Sequence, residues 1–531
     1  FGTGFYHVAG FSGRDPRTAV GHCTWLFLAQ LDGVLALHDV IMAISWLYST
    51  RLGYETRYMK SSTPGCLACQ IARFMLMPCQ AGRRWFRPDF PLCIRTRGGR
   101  HLTSAHSPRY AVIGGGLAGV AVAWHLLQAS SPTKPLSLDL IVQGEGLADG
   151  ASGAAAGLLH PTSPRGKLMW RGDEAFLATR RLVDVAEAAG RKQIAWRQGV
   201  LRLAQTQRQD EQLRAAAETM PSARYVPASH LDAILAGLTE EASAGLGALL
   251  FSDGMALDTK GYLDGLWADT QRRARELGTE AVLHENTTVH DLAELNVGKG
   301  PYAGIVLAMG AGVADLAGVK DHLPPFMDMV AGISLTLELG AEGWAGAVHP
   351  ERVHGAEPPT ATTAVEPDAH SPDARCAGDL PAHASGWPEG APSLAAMPYI
   401  AAQGSRRCVI GATWDRPAAP DQNPGTAPRT AGELLSQARA LWPGLAAWRV
   451  AHRAHGTRVV SQRTDHGTPP YGGRLALGPA PALPPVWLMS GLGARGLLYH
   501  AWLAQLTAEG VLRGGEEHLP PELLRWRRRG G

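Results

Sequence analysis

The chain has 531 residues, of which 45% are hydrophobic and 18% are charged, and its formal net charge is +3. This composition predicts a soluble globular protein with room for two or more domains, and it excludes the strong overall basic charge that attracts nucleic acid or an anionic membrane. The seven cysteines are an odd number in a long chain, which is typical of a reducing compartment and not of a disulfide framework.

Residues 1–108 differ in character from the rest of the chain. Between Val40 and Ser107, ten Lys and Arg residues stand against two acids. A basic, serine-containing, acid-poor leader is typical of organelle transit peptides, and it predicts a chloroplast location, with the mitochondrion as the next alternative. The other interpretation is a disordered extension without a role, which leaves a cytoplasmic location open.

This leader contains a cysteine pair and an apolar stretch. Cys66 and Cys69 form a CxxC pair that could bind a metal or exchange electrons, but a second pair of ligands is missing, so we predict no metal site. The stretch Leu26 to Tyr48 is apolar, but it contains Asp32 and Asp39, and burying such acids in a bilayer is costly. We therefore predict no membrane span.

From Arg109 onward, short apolar runs alternate with amphipathic stretches, which predicts a mixed α/β fold. The predicted strands are Tyr110 to Ile113, Leu138 to Val142, Gly304 to Ala308, Gly332 to Leu337, Cys408 to Ala412 and Val486 to Ser490. The predicted helices are Leu117 to Gln128, Asp173 to Ala189, Lys260 to Leu277, Ala431 to Leu441 and Leu497 to Val511. Residues 349–392 are rich in Pro, Ala, His and Asp and predict a disordered surface insertion.

The first predicted strand ends in a glycine-rich turn. Gly114, Gly116 and Gly119 have the spacing GxGxxG, and a helix is predicted to begin at Leu117. In this pattern the first glycine permits a tight turn, the second lets a pyrophosphate approach the backbone, and the third lets helix and strand pack closely. The helix N-terminus then offers unpaired N–H groups to the phosphates. The motif predicts dinucleotide binding, although similar turns also occur for packing alone.

The residue that should bind the ribose is ambiguous. An acid is expected at the end of the second strand, but Gln143 stands there, with Glu145 two residues later. Either side chain could reach the ribose, or Glu145 could be a solvated turn residue. The following stretch, Asp149 to His160, reads DGASGAAAGLLH, and its small residues favour close passage of a long planar cofactor.

Together these motifs resemble the D-amino-acid oxidase superfamily of FAD-dependent oxidoreductases. Further segments resemble the family in the same order, and they are ALDTKGYLDGLW at 256–267, YAGIVLAMGAG at 302–312, PYIAAQGSRRCVIGATWD at 398–415, HGTRVVSQRTDHGTPPYGG at 455–473 and MSGLGARGLLYHAWLA at 489–504. The resemblance implies a Rossmann-type FAD-binding domain (109–200, 250–330 and 455–531) interleaved with an α+β antiparallel-sheet substrate domain (200–250 and 330–455). FAD is expected to be non-covalent, because neither Ala154 to Ala156 nor GLGARG offers a Cys or His.

The resemblance also assigns site residues. Arg458 is expected to grip a substrate carboxylate, Tyr399 to face the same carboxylate, and Arg495 to lie beside the flavin or the substrate. Their ordinary alternatives are an ion pair for Arg458 and a core position for Tyr399. The expected cofactor-binding residues are Gly114, Gly116, Leu117, Ala118, Gly119, Gln143, Glu145, Ala151, Ser152, Ala156, Gly157, Leu158, Val289, Ala308, Gly310, Gly491, Gly493, Arg495, Gly496 and Leu497. His160 and His466 are interpreted as hydrogen-bonding loop residues.

The implied reaction is oxidation of the carbon–nitrogen bond of a small amine or amino acid by hydride transfer to flavin N5. One alternative is FAD-dependent trimming of carboxymethylaminomethyl-uridine in tRNA, since TRVVSQRTDHGTPPYGG resembles the FAD domain of the bifunctional enzyme that does so. For RNA the chain offers only a small basic cluster, Arg525 to Arg529. A third possibility is an FAD-binding assembly or scaffold factor without catalysis. The oligomeric state stays open.

Overall fold

The computed structural model describes residues 107–238, 245–296, 301–340, 386–413, 428–465, 467–477 and 483–529. The predicted targeting segment, the CxxC pair, the apolar stretch Leu26 to Tyr48 and His466 all lie outside these residues. The predicted insertion 349–392 lies mostly outside them, but its last seven residues are described. There Trp387 and Ala391 are buried in a hydrophobic core, so this part of the predicted insertion is integral to the fold.

The described residues form seventeen strands and seven α-helices. The strands are β1 Arg109–Ile113, β2 Ser137–Ile141, β3 Leu158–Leu159, β4 Ala195–Trp196, β5 Val200–Leu203, β6 Ala223–Val226, β7 Ala248–Phe251, β8 Met255–Leu257, β9 Ala281–His284, β10 Gly304–Leu307, β11 Met327–Leu339, β12 Ser393–Leu394, β13 Tyr399–Ala402, β14 Arg407–Gly411, β15 Trp448–Ser461, β16 Tyr471–Arg474 and β17 Val486–Ser490. The helices are α1 Leu117–Gln128, α2 Gly172–Gly190, α3 Gln207–Thr219, α4 Leu231–Ile234, α5 Thr259–Leu277, α6 Ala431–Leu441 and α7 Gly496–Arg513.

A six-stranded sheet has the order β16-β17-β10-β1-β2-β9, and all its pairings except β16 with β17 are parallel. The central strand β1 is flanked on both sides, with Ile113 paired to Leu307 of β10 and to Ile141 of β2. Near-continuous apolar runs suit such strands because both faces are covered. The carboxyl ends of β1, β2 and β10 therefore meet at one edge, where ligands bind in open parallel sheets.

An eight-stranded sheet has the order β15-β11-β14-β13-β12-β5-β7-β6. One face carries Leu201, Leu394, Ile400 and Ile410, which join a core that also contains Trp442 beyond α6. Because side chains alternate along a strand, the residues between these apolar positions point to the opposite face. The candidate site residues of this sheet lie on that opposite face.

The predicted mixed α/β fold is confirmed, and the helices α1 and α6 have the predicted bounds. The long helix α5 begins after Asp258, whose carboxylate accepts a hydrogen bond from the Gly261 N–H at 3.1 Å, as an N-cap does. The predicted domain boundaries at 250, 330 and 455 fall inside β7, β11 and β15, which all belong to the eight-stranded sheet. Within the described part of the chain, no helix is both long enough and apolar enough to span a bilayer.

Candidate active site

The glycine-rich turn after β1 has no room for side chains. Gly114 has φ +115°, and a Cβ built on it would lie 2.3 Å from the carbonyl oxygen of Ala308. A Cβ on Gly119 would lie 1.8 Å from the carbonyl oxygen of Gly114. The first glycine is thus required by the turn and the third by the close packing of α1 on that turn.

The N-terminus of α1 faces a small-residue loop. The Leu117 N–H donates a hydrogen bond to Ser152 Oγ at 3.0 Å, and a Cβ on Gly116 would lie 2.8 Å from the same oxygen. The helix has no acid in its first turn to neutralise its positive end. This pairing of bare backbone and helix dipole suits a pyrophosphate, and FAD fits the residues present.

A cavity of about 740 Å³ opens at this edge of the parallel sheet and extends to the functional face of the eight-stranded sheet. Eighteen of the predicted cofactor residues line it, and they are Gly114, Gly116, Leu117, Ala118, Gln143, Ala151, Ser152, Ala156, Gly157, Leu158, Val289, Ala308, Gly310, Gly491, Gly493, Arg495, Gly496 and Leu497. Gly119 and Glu145 do not line it. Gly119 does not line the cavity because it packs against the Gly114 carbonyl oxygen. The Glu145 side chain is exposed and lies beyond the cavity wall.

Gln143 lies at the predicted ribose end. It is exposed and lines the cavity, directly after the last apolar residue that follows β2. Among the described lining residues, Asp149 is the one acid, and its Oδ2 would lie 1.9 Å from a Cβ on Gly144. Of the two residues predicted for the ribose, Gln143 lines the cavity and Glu145 does not.

Arg458 and Tyr399 line the other part of the cavity. The pairings of Arg458 with Val330, of Ser334 with Gly411 and of Gly411 with Tyr399 place both side chains on one face of the eight-stranded sheet. Two glycines make room for them. A Cβ on Gly411 would lie 2.3 Å from Tyr399 Oη, and one on Gly332 would lie 3.0 Å from Arg458 Nη2.

The protonation states at this face suit anion binding. Burial raises the pKa of Tyr399 to about 12, against the opposing effect of the Arg458 charge. Burial lowers the pKa of Arg458, while the nearby Tyr399 raises it. A guanidinium remains charged at neutral pH. The pair thus offers a cationic fork and a neutral phenol O–H donor.

Arg495 lies where the loop after β17 leads into α7. Gly491 and Gly493 in this loop have φ of +71° and +54°, which shows why the sequence has glycine there. The Arg495 guanidinium contacts the Met169 sulfur, and burial lowers its pKa. Helix α7 begins immediately afterwards, at Gly496, and its N-terminal residues line the cavity.

One cavity residue was missed by the sequence motifs. Arg202 of β5 lines the cavity, and its Nη2 donates to His160 Nε2 at 3.2 Å. The available signal was the alternation in β5, where Arg202 stands between two buried leucines and so must point to the opposite face from them. Within the described ranges, no group of three or more His, Cys, Asp or Glu residues could bind a metal.

The parallel sheet carries a glycine-rich turn, and the eight-stranded sheet closes the cavity with two arginines and a tyrosine. This combination defines the class of dinucleotide-dependent enzymes. The model of the DAO family, described as FAD dependent oxidoreductase, matches residues 109–510. The chain belongs to this family, and it is an FAD-dependent oxidoreductase.

Solved structures with the same fold include three oxidoreductases. Glycine oxidase from Geobacillus kaustophilus is 18% identical, with a TM-score of 0.51 over 78% of this chain and 97% of that one. Iminodiacetate oxidase from Chelativorans sp. BNC1 is 20% identical, with a TM-score of 0.52 over 79% and 98%. L-amino acid deaminase from Proteus vulgaris is 13% identical, with a TM-score of 0.54 over 80% and 97%. No curated protein matches the sequence.

Proposed function

We propose that the protein oxidises the carbon–nitrogen bond of a small amine or amino acid, with non-covalently bound FAD as the hydride acceptor. The observation that carries this proposal is the placement of Arg458 and Tyr399 on one sheet face, lining the same cavity as the GxGxxG turn. The names of the solved structures support it, since they describe enzymes of glycine, iminodiacetate and L-amino acids.

The residues of the chain bind and orient the substrate. A carboxylate accepts two hydrogen bonds from the planar Arg458 guanidinium and one from the Tyr399 phenol, and a bidentate pair fixes orientation as well as charge. Bound FAD would supply the acceptor for a hydride from the carbon next to the nitrogen. Holding the reacting carbon at a fixed distance and angle accounts for much of the rate, because positioning can contribute about 7–11 kcal/mol.

Arg495 and the N-terminus of α7 add positive potential to the same cavity. Charge that develops during the reaction is stabilised by donors and dipoles already in place. The cofactor pyrophosphate would lie against the N–H groups that open α1, beside Ser152. Gln143 would bind the ribose.

The alternative of a tRNA substrate came from the resemblance of residues 457–473 to a tRNA-modifying enzyme, and the C-terminal cluster is the basic patch that the sequence offers for RNA. Two members of this cluster are engaged within the protein. Arg525 donates to the carbonyl oxygens of Pro469 at 2.6 Å and Pro470 at 3.1 Å, and Arg527 pairs with Glu516. Arginines used in this way are poorly placed to neutralise phosphates, so we do not favour this reaction.

The test is an anaerobic screen of the purified holoenzyme. Glycine, sarcosine, proline and D-amino acids are each mixed with the protein, and flavin absorbance is followed. We expect at least one compound to bleach the flavin, and Arg458→Ala to raise sharply the concentration needed. A protein that retains FAD but is reduced by no amine would overturn the proposal and favour the scaffold alternative.

A further inference from the structure

Arg202 is a cavity-lining arginine without a carboxylate partner among the described residues. Its Nη2 donates to His160 Nε2 at 3.2 Å, while its buried Nε has no hydrogen-bond partner. Burying a guanidinium with unused donors costs free energy unless an anion arrives to satisfy them. A ligand that enters the cavity is the natural source of that anion.

The surroundings of Arg202 are cationic or neutral. Burial and then the Arg495 charge lower the pKa of Arg202 to about 10, so it is protonated at neutral pH. Burial and then the charges of Arg202 and Arg495 lower the pKa of His160. Neutral His160 accepts at Nε2, because arginine only donates, and its Nδ1–H then donates to Thr162 Oγ1 at 3.3 Å.

The acid of the cavity wall does not form an ion pair with Arg202. Asp149, the one acid among the described lining residues, has its carboxylate packed against Gly144 after β2. Arg202 instead lies beside the His160 ring, which is stacked near Phe251 with ring centroids 6.1 Å apart. No carboxylate of the described wall therefore forms an ion pair with Arg202.

Arg202 shares its sheet face with the proposed substrate residues. Val200 pairs with Ser393, and the register through β12 and β13 puts Arg202 on the face of Tyr399 and Arg458. Four strands lie between β15 and β5. At about 4.8 Å between neighbouring strands, the axes of β15 and β5 lie up to about 24 Å apart, and the two long arginine side chains span part of that distance. A molecule that contacts both Arg458 and Arg202 must therefore carry two anionic groups at the ends of a long chain.

We propose that Arg202, with Arg495 beside it, forms a second anion subsite that selects amines carrying a second carboxylate beyond the reacting carbon. This inference rests on the proposed function, because it names the substrate class of that same cavity. Arg202 is then the specificity-determining residue, and Arg458 with Tyr399 holds the first carboxylate.

The test uses paired substrates that differ by one carboxylate. N-alkylglycines are compared with N-(carboxyalkyl)glycines of the same chain length, from short chains to about ten methylene groups, which covers the separation of the two strands. For each holoenzyme, kcat/KM is measured for anaerobic flavin reduction. We expect kcat/KM to be higher for the compounds with a second carboxylate than for N-alkylglycines of the same length. The highest values should belong to the longer chains. Arg202→Met should lower kcat/KM for the compounds with a second carboxylate by about 30-fold or more. For the N-alkylglycines, kcat/KM should stay within about threefold of the unaltered enzyme.

A binding measurement separates this inference from the proposed reaction. Calorimetric titration of the holoenzyme with succinate, adipate and suberate, against butyrate and hexanoate, requires no turnover. Arg202→Met should abolish the preference for dicarboxylates. Arg202→Lys keeps the charge and should retain part of it. If no amine reduces the flavin but the preference for dicarboxylates depends on Arg202, the reaction proposal fails and the anion subsite stands.

The matched control is Arg197→Met, since Arg197 is paired with Asp184 at 2.7 Å and Glu187 at 2.8 Å and does not line the cavity. Methionine is unbranched, apolar and able to fill an irregular space, so Arg202→Met should fold and retain FAD. If Arg202→Met lowered kcat/KM equally for compounds with and without the second carboxylate, the inference would be overturned. A loss of FAD affinity with unchanged dicarboxylate binding would also overturn it, because the cofactor would then be the partner of Arg202.

Discussion

Tyr399 and Gly411 are directly paired across β13 and β14, and the Tyr399 phenol oxygen lies 2.3 Å from the position of a Cβ on Gly411. The phenol therefore lies flat over the neighbouring strand and occupies the space that any other residue at 411 would fill. Its place in the cavity depends on the absence of one side chain. The same holds for Gly332 and the Arg458 guanidinium, at 3.0 Å.

We predict that Gly411→Ala displaces the Tyr399 phenol and raises KM for the amine substrate by about tenfold or more, with little change in FAD content. A hydrogen bond to a charged carboxylate contributes about 1.5–3 kcal/mol, which sets this magnitude. Steady-state kinetics and flavin absorbance of the purified variant measure both quantities.

Two controls belong to this experiment. Tyr399→Phe removes the hydroxyl without moving the backbone and should give a similar rise in KM. Gly432→Ala lies in α6, away from the cavity, and the nearest atom to its Cβ is Thr430 Oγ1 at 3.9 Å, so this variant should behave as the unaltered protein. An unchanged KM in both Gly411→Ala and Tyr399→Phe would show that the phenol does not touch the substrate.

Arg458→Lys tests the geometry of carboxylate binding and not only its charge. Lysine keeps the positive charge but cannot form the two parallel hydrogen bonds of a guanidinium. We predict that KM rises by about 10- to 100-fold and that productive positioning suffers, so kcat also falls. Rapid mixing with substrate under anaerobic conditions separates the binding constant from the rate of flavin reduction. If kcat and KM of Arg458→Lys equalled those of the unaltered enzyme, Arg458 would contribute its positive charge and not a bidentate hydrogen bond.

The sequence predicted four strands of the six-stranded sheet, β1, β2, β10 and β17, because they are short apolar runs, but it missed the edge strands β9 and β16. It predicted Arg458 and Tyr399 through family motifs. It could not predict that Gly332 and Gly411 leave space for those side chains, since that relation depends on the register between strands far apart in sequence. Arg202 was missed for the same reason: its alternation in β5 shows which way it points, but only the strand order brings it to the cavity.

Gly119→Ala should prevent the protein from retaining FAD. The added Cβ would lie 1.8 Å from the Gly114 carbonyl oxygen, a backbone atom that cannot rotate away, so α1 must shift from the turn where the pyrophosphate would bind. We expect a loss of stability at or above about 3 kcal/mol and a colourless product, measured by urea unfolding and absorbance.

Gly190→Ala is the matched control for this variant, because the nearest atom to its Cβ is 3.8 Å away, outside the cavity. It should fold and bind FAD normally. A yellow, stable Gly119→Ala protein would contradict the role of the third glycine in packing α1.

His500 makes stability depend on pH. It is fully buried in α7, Tyr262 Oη donates to its Nε2 at 2.7 Å, and its Nδ1–H donates to the carbonyl oxygens of Gly496 and Leu497 at 3.1 Å, so the ring is neutral. Burial lowers its pKa to about 4 from the ordinary value of 6.5. The unfolded chain binds a proton below pH 6.5 and the folded chain does not until about pH 4, so stability is full above pH 6.5 and is lost as pH falls towards 4.

The loss should reach up to about 3 kcal/mol for this one histidine, as measured by urea unfolding at a series of pH values. His500→Gln keeps a donor and an acceptor but cannot titrate, so its stability should fall less steeply over the same range. His125, whose pKa burial also lowers to about 4, leaves a residual slope in that variant. An identical slope in His500→Gln and in the unaltered protein would contradict the lowered pKa, because it would mean that His500 binds its proton at the same pH in the folded and the unfolded chain.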